Sequence, residues 1–377
     1  FTVDTFEHAR LRRLKPIELH DIVCMIGHIV VCGGVRRSAL ISLSDFDDSD
    51  MRDAKSGNWW EHAPQRAMAN NSAVYEAGIS EVSFMREWQA WAASGSGERG
   101  IFSRTACDRI AETHGREPCD NFGTNPCSEI ILRPQQFCNL SEPVVRPDDT
   151  YATLEDKVGI AALLGTAQAT KTDFRGLSPE WQQVTEYERL LGVSMTGIMD
   201  NAETTDAHPG FLMDLRDATI GTNAVWAERF GINPAGAVTC VKPSGTVSQL
   251  VDAASGLHPR YADYYIRRVR GDKADPMSQF LVESGVPYAE DVMNEHNWVF
   301  DFPVKAPEGC LTTEDVGPIS HLEMWLDYQS YWADHKPSVT ISIPAGQWFE
   351  VGAWVWAHLD SMSGVSFLPW NEHTYQQ

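Results

Sequence analysis

Three features of the sequence predict an α/β fold with many parallel strands. Strand-type and helix-type patterns alternate along the whole chain, glycines stand at the exits of the main helix candidates, and no clean internal repeat interrupts the order. The length of 377 residues suits two domains or one large α/β barrel, and an apolar fraction of 43% with 13 tryptophans supplies a substantial core.

The elements follow in order. Pro16 opens PIELHDIVCMIGHIVV, with Ile22, Val23, Ile26, Ile29 and Val30 at helical spacing and Gly33-Gly34 as the stop. Cys24 and Cys32 lie in or at the end of this helix and read as core residues. In VRRSALISL, Ala39, Ile41 and Leu43 alternate with Ser38, Leu40 and Ser42, a strand with Arg36 and Arg37 at its entrance. The acidic DFDDSD after it reads as a solvated loop, because the spacing of a calcium loop is absent. Asn70, Asn71 and Ser72 suit hydrogen bonds to a sugar or base, and equally suit a helix cap or turn.

Phe84, Trp88 and Trp91 mark an amphipathic helix over 80–93, followed by a flexible break, SGSGERG, at 94–100. Its Gly95, Gly97 and Gly100 spell GxGxxG, but after a helix rather than the strand that a dinucleotide site requires. Thr153-Leu154-Glu155-Asp156 resembles a capping box and starts a helix running to about Lys171; a further helix occupies 209–230 and exits at Gly231. AVTCV (237–241) is a strand signal running into KPSGT. Pro243, Ser244, Gly245 and Thr246 then form either a phosphate-binding turn or an ordinary N-capped turn, and the P-loop spacing is missing. YIRRVR (265–270), PSVTISIP (337–344) and GVSFLP (364–369) read as strands, and 346–361 as a Trp-rich helix.

The chemistry concentrates in NFGTNPCSEIILRPQQFCNLSEP, residues 121–143. In an extended backbone Asn125, Cys127 and Glu129 share one face, which places an amide, a thiol and a general base together. Polar partners on both sides of Cys127 favour a catalytic thiol over a structural cysteine in a proline-containing loop. A second thiol, Cys138, follows in the same stretch.

The formal charge of −22 argues against a nucleic-acid groove but permits a nucleotide at a helix N-terminus. The eight cysteines contain no CxxC pair, which disfavours a zinc ribbon or a disulfide-stapled module; no metal ligand set is assigned, and a reducing cytoplasm fits best. No apolar run of about 18 residues exists, so no membrane span is expected. The chain begins at Phe1 without a signal peptide and ends on HTYQQ, as expected of an internal segment of a longer protein.

Several motifs together resemble ribonucleotide reductase: NPCSEI, CNL at 138–140, GGVRRSA at 33–39, SGERGIFSR at 96–104, KPSGT at 242–246 and HPRYADYYIRRVR at 258–270. They most resemble the adenosylcobalamin-dependent class II enzymes in their monomeric ribonucleoside-triphosphate-reducing form. The similarity runs from GGVRRSA to SFLPWNEHTY at 366–375, and the Asn-x-Cys-x-Glu set with its second cysteine is its most specific part. The resemblance implies part of a ten-stranded α/β barrel with a central finger loop carrying the radical cysteine. It makes Cys127 the thiyl that abstracts the ribose 3′ hydrogen, Glu129 the base at the 3′-OH, and Asn125 the partner of the ribose hydroxyls. Cys138 becomes one thiol of the reducing dithiol, and Pro243, Ser244, Gly245 and Thr246 the loop for the substrate phosphates.

The same resemblance implies adenosylcobalamin as cofactor, a ribonucleoside triphosphate or diphosphate as substrate, and a thioredoxin-type reductant. The family's other reducing cysteine and most of its allosteric region lie upstream of GGVRRSA, and its C-terminal redox cysteines lie beyond Gln377. Residues 1–377 are therefore expected to be the catalytic barrel segment. The alternatives are the large subunit of a metal-radical (class I) reductase and a truncated, inactive nucleotide-binding module.

Overall fold

Twelve strands, most of them short, organise the described part of the chain: β1 Leu40–Asp45, β2 Ala69–Tyr75, β3 Gly100–Ser103, β4 Gly123–Thr124, β5 Ile131–Leu132, β6 Asn139–Ser141, β7 Leu191–Val193, β8 Tyr264–Asp272, β9 Tyr288–Glu290, β10 Asn297–Lys305, β11 Thr340–Ile343 and β12 Gly364–Pro369. The computed structural model describes residues 1–31, 39–292 and 295–370, without the side chains of 30, 31 and 246. Cys32, the Gly33-Gly34 stop, Arg36, Arg37 and the end of the chain past Trp370 lie outside the described residues.

Five strands form a mixed sheet in the order β1-β2-β3-β12-β11. The β1–β2, β2–β3 and β11–β12 pairs are parallel, whereas β3 and β12 run antiparallel, with Gly364 opposite Phe102. A second parallel run starts at β6–β7, with Asn139 opposite Leu191, and continues through the single bridges Val193–Thr239 and Val241–Pro337. The two runs meet at 337–343, where Pro337 bridges to Val241 and Thr340 pairs with Ser366. Strands 4 and 5 form a small hairpin between them, and β8-β10-β9 form a separate antiparallel sheet.

Burial explains why these segments are strands. Val193, Val241, Ile341, Ile343 and Phe367 are fully buried within one core cluster, together with Leu154, Val158, Leu212 and Leu215 from the helices that cover the second run. Such near-continuous apolar runs belong to parallel strands covered on both faces. Gly192 in β7 is a close-approach position: a Cβ there would stand 2.5 Å from Leu140 and 2.8 Å from Ile130, with the Cys240 sulfur at 3.3 Å.

The helices at Pro16–Val31, Glu81–Ser94 and Pro209–Phe230 stand where the pattern places them, and the last two exit on left-handed Gly95 and Gly231. Other expectations shift. The long helix is Tyr151–Gln168, and its capping box joins Thr150 to Thr153 rather than starting at Thr153. AVTCV runs between two neighbours as expected of a strand but pairs through the single bridges at Thr239 and Val241, since side chains take part of its hydrogen bonding: Asp334 accepts from Val238 N at 3.0 Å and Ser194 Oγ from Lys242 N at 2.8 Å. Asp48 of the acidic loop caps a short helix, Ser49–Arg52, through the Met51 N–H.

Residues 94–100 are not a flexible break. Arg99 is buried and donates to Glu87 at 2.7 Å and Ser44 at 2.8 Å, while Glu98 takes Lys55 at 2.7 Å and the Asn71 N–H at 2.9 Å. Glycine-rich composition suggested a loose connector, but the two charged residues inside it anchor it to three elements.

Candidate active site

The hairpin of β4 and β5 carries the Asn125–Glu129 set at its tip. Residues 125–130 turn instead of running extended: Ser128 N–H donates to the Asn125 carbonyl at 2.8 Å, and Ser128 adopts φ +64°. A left-handed residue breaks strand alternation, so periodicity does not align the three side chains. Asn125 turns its Oδ1 inward to accept the Ile130 N–H at 3.0 Å, which stakes the loop across its own mouth. Glu129 is fully buried and Cys127 half-buried.

What joins Cys127 to Glu129 is a cation from a distant part of the chain. Lys242 Nζ donates to Glu129 Oε1 at 3.0 Å and to Cys127 Sγ at 3.5 Å. Glu129 Oε2 is buried and has no hydrogen-bond partner among the described residues. The tip is pinned from several sides. Ser338 Oγ donates to the Cys127 carbonyl at 2.6 Å, the Lys336 N–H to the Glu129 carbonyl at 3.1 Å, and Asn70 Nδ2 to the Pro126 carbonyl at 2.8 Å. Lys336 Nζ lies beneath it, donating to Ser128 Oγ at 3.0 Å and Thr124 Oγ1 at 3.2 Å, 4.5 Å from the centre of the Phe102 ring. Gly364 makes room for this contact, since a Cβ there would stand 2.9 Å from Ser128 Oγ.

His335 completes the support. Its Nδ1 accepts from Ile131 N–H at 3.2 Å and its Nε2 faces the Leu191 carbonyl at 2.9 Å, partners that suit the neutral ring with the proton on Nε2. Burial holds its pKa well below the usual histidine value, consistent with that form.

The charges at the tip oppose one another. Burial, then the Glu129 charge, push the Cys127 thiol up, and Lys242 works against both. Burial alone would lower Lys242, but Glu129 and Cys127 outweigh it and raise the ammonium to about 12. The fully buried Lys336 falls to about 8 because its charge is desolvated. Cys138 stands immediately before β6, where burial and then Glu129 push its thiol far above the ordinary range. Cys240 is fully buried nearby and is shifted the same way by burial, then Glu129, then Cys138. Cys127, Glu129 and Cys138 therefore share one electrostatic neighbourhood.

Pro243 and Ser244 lead into a short helix, Gly245–Leu250. Ser244 is its N-cap residue, yet its side chain makes no cap bond; Oγ donates instead to Glu142 Oε2 at 2.8 Å. Burial raises the Glu142 carboxyl, and its Oε1 has no partner among the described residues. The side chain of Thr246 lies outside the described residues.

A cavity of about 350 Å³ opens beside Cys127, walled by Asn70, Asn71, Glu98, Pro243, Ser338 and Ser366. The Asn71 Oδ1 faces His20 Nε2 at 3.0 Å, and its buried Nδ2 is left without a partner among the described residues. A larger cavity, about 950 Å³, lies between helices Glu81–Ser94 and Trp348–Ala357 and is lined by Trp88, Trp348 and Trp356, away from the thiols. Size alone does not make it the reactive site. Among the described residues no group of three or more His, Cys, Asp or Glu side chains is placed to hold a metal ion.

Of the residues singled out in the sequence, Cys127, Glu129 and Cys138 lie near one another and Asn125 turns inward; Lys242, Lys336, Ser338 and Glu142, which join or support them, were not singled out. Lys242 carried a signal, as the first residue of KPSGT; nothing in HKPS at 335–338 betrays two clamps.

No family model matches the chain. A curated protein from Levilactobacillus brevis, an adenosylcobalamin-dependent ribonucleoside-triphosphate reductase, is 27% identical over 97% of this chain and 53% of its own length. The relatives are B12-dependent ribonucleotide reductases. One of the same description from Euglena gracilis is 27% identical over 96% of this chain and 51% of its own. A crystal structure of a B12-dependent class II ribonucleotide reductase superposes with TM-score 0.77 at 25% identity, over 97% of this chain and 54% of that one. The Actinobacillus ureae class Id reductase α subunit superposes with TM-score 0.63 at 13% identity, a likeness of fold alone. The chain spans about half the length of the curated relatives it matches.

Proposed function

We propose that this chain is the catalytic segment of an adenosylcobalamin-dependent reductase that converts ribonucleoside triphosphates to 2′-deoxyribonucleotides. The observation that carries the reading is the pinned hairpin tip, where a half-buried thiol and a buried carboxylate share one lysine. The similarity to class II enzymes across nearly the whole chain supports it. On this reading the two parallel runs belong to the ten-stranded barrel, and the β4–β5 hairpin is its finger loop.

The residues divide the work. Cys127, as a thiyl, takes the 3′ hydrogen of the ribose and becomes a thiol; once the 2′ position is reduced it returns that hydrogen to C3′ and is again a thiyl. Glu129 accepts the 3′-OH proton through a carboxylate oxygen. Asn125, with its Oδ1 already engaged, offers its amide N–H groups to the ribose hydroxyls. The 2′-OH leaves as water, and a dithiol containing Cys138 supplies two electrons and two protons while closing to a disulfide. The backbone of Pro243, Ser244, Gly245 and Thr246 faces the phosphates. A thioredoxin-type protein restores the dithiol.

The cavity beside Cys127 fits the cofactor's adenosyl end, because it offers an orphaned amide at Asn71 and the hydroxyl of Ser366 next to the reacting sulfur. When bound, adenosylcobalamin supplies the radical equivalent that converts the Cys127 thiol to a thiyl. Asn70 and Ser338 hold the tip from that side.

The test is incubation of the full-length protein with adenosylcobalamin, a ribonucleoside triphosphate and dithiothreitol. Deoxynucleotide is expected. Product only on addition of a second metal-radical subunit would assign the chain to class I, and no product under either condition would leave an inactive nucleotide-binding module.

A further inference from the structure

We infer that Lys242 is a phosphate-released latch: it covers Glu129 and Cys127 in the free protein and is drawn away when the triphosphate of the substrate is seated. The inference rests on the reductase reading and adds a residue and an order of events to it.

Lys242 occupies the gap that the reaction needs. One ammonium contacts both the carboxylate oxygen and the sulfur, at 3.0 and 3.5 Å. A ribose hydroxyl that is to give its proton to Glu129, on a carbon that is to lose hydrogen to Cys127, approaches the same two atoms. The lysine and the ribose compete for them.

Lys242 cannot simply drift off. Glu129 is fully buried, Lys242 is its ion-pair partner, and Glu129 Oε2 has no other bond among the described residues. Withdrawal of the cation would leave a bare buried carboxylate, which is strongly disfavoured. An incoming anion changes this balance, because charge-assisted bonds to phosphate oxygens replace the one given up. Lys242 directly precedes Pro243 and Ser244, so its flexible four-carbon stem swings within reach of anything held on that turn. Its side chain is 28% exposed, whereas its carboxylate partner is 0% exposed; the lysine is the mobile member of the pair.

The other groups around the latch are consistent with an anion entering. Glu142 accepts from Ser244 Oγ, and its carboxyl is raised by burial. Lys336 is fully buried on the opposite face of the hairpin and is tied to Ser128 and Thr124, so it stays with the tip. The consequence is an order of events. Glu129 is uncovered as a base only after the triphosphate docks, so a phosphate-free nucleoside would meet a closed site.

The experiment reads the environment of Cys127 without turnover. In the full-length protein, the rate of iodoacetamide labelling of the Cys127 peptide is followed by mass spectrometry at fixed, mildly alkaline pH, with and without inorganic triphosphate. Labelling follows the thiolate fraction, which Lys242 favours. Triphosphate is expected to slow wild-type labelling by about tenfold, the effect of one pKa unit. Lys242→Met is expected to label slowly from the start and to ignore triphosphate, with Lys242→Gln as the same test should Met impair folding. Lys242→Arg is expected to keep a triphosphate response. Wild-type labelling rates in Lys242→Met and Lys242→Gln would overturn the latch. So would triphosphate slowing those variants as much as wild type, since the anion would then act without the lysine. A missing wild-type response with deoxynucleotide still formed overturns the latch alone; an intact response without deoxynucleotide overturns the reductase reading alone.

Discussion

The two faces of the Cys127 hairpin each hold a lysine, and the two lysines behave in opposite ways. On the reactive face Lys242 is partly exposed and paired with a carboxylate, and its ammonium is raised to about 12. On the underside Lys336 bonds two hydroxyls and sits over the Phe102 ring; it is fully buried, and desolvation outweighs Cys107 and Glu129 and lowers it to about 8. The same side chain is stabilised as a cation by a counter-charge in one place and strained as a cation by desolvation in the other. The difference separates roles: the paired lysine bears on the charges of Cys127 and Glu129, while the buried one holds the loop that carries them.

The most severe break is at the reactive face. Cys127→Ser is expected to abolish deoxynucleotide formation while leaving ribonucleotide binding intact, measured by product assay and equilibrium binding side by side. Full activity in this variant would remove the radical role from the hairpin tip.

The underside is probed by pH and stability. Because Lys336 titrates near 8 in the fold and near 10.5 when unfolded, the unfolded chain holds the extra proton between those values. Its contribution therefore makes the protein more stable as pH rises through that window, by about 3 kcal/mol at most. Lys336→Met should remove this rise, seen as the difference between wild-type and variant denaturation curves across pH 8 to 10.5. Lys242, raised rather than lowered, acts in the opposite sense: its stabilisation is complete below 10.5 and is lost as pH climbs through about 12. Parallel curves for wild type and Lys336→Met would erase the contrast between the faces.

The smallest expected effect sharpens the comparison. Ser338→Ala removes the 2.6 Å bond to the Cys127 carbonyl and should cost about 1 kcal/mol of stability, read by urea denaturation. It should lower turnover without changing ribonucleotide affinity, because it loosens the tip and leaves the phosphate turn in place.

The helices were legible because their signals are local. Gly95 and Gly231 close helices whose apolar spacing marks them, and Pro16 opens another. The residue types of the candidate site stand out for the same reason, as Asn125, Cys127 and Glu129 lie within five positions. The turn at 125–128 was not, because alternation predicts a strand wherever polar and apolar residues alternate. Only the left-handed Ser128 and the pins beneath it fold that segment back. Arg99 and Glu98 misled in the same way, since a glycine-rich composition conceals ion pairs made to distant elements.

By itself, then, the sequence determined the α/β alternation, the thiol–carboxylate spacing and the likeness to ribonucleotide reductases, all properties carried by residues close together in the chain. Tertiary structure alone decided that Lys242 would bridge Cys127 and Glu129, that Lys336 would be buried against Ser128 and Thr124, and that Ser338 would hold the tip. These contacts join residues more than a hundred positions apart, and they exist only because a mixed sheet and a parallel run converge on one hairpin.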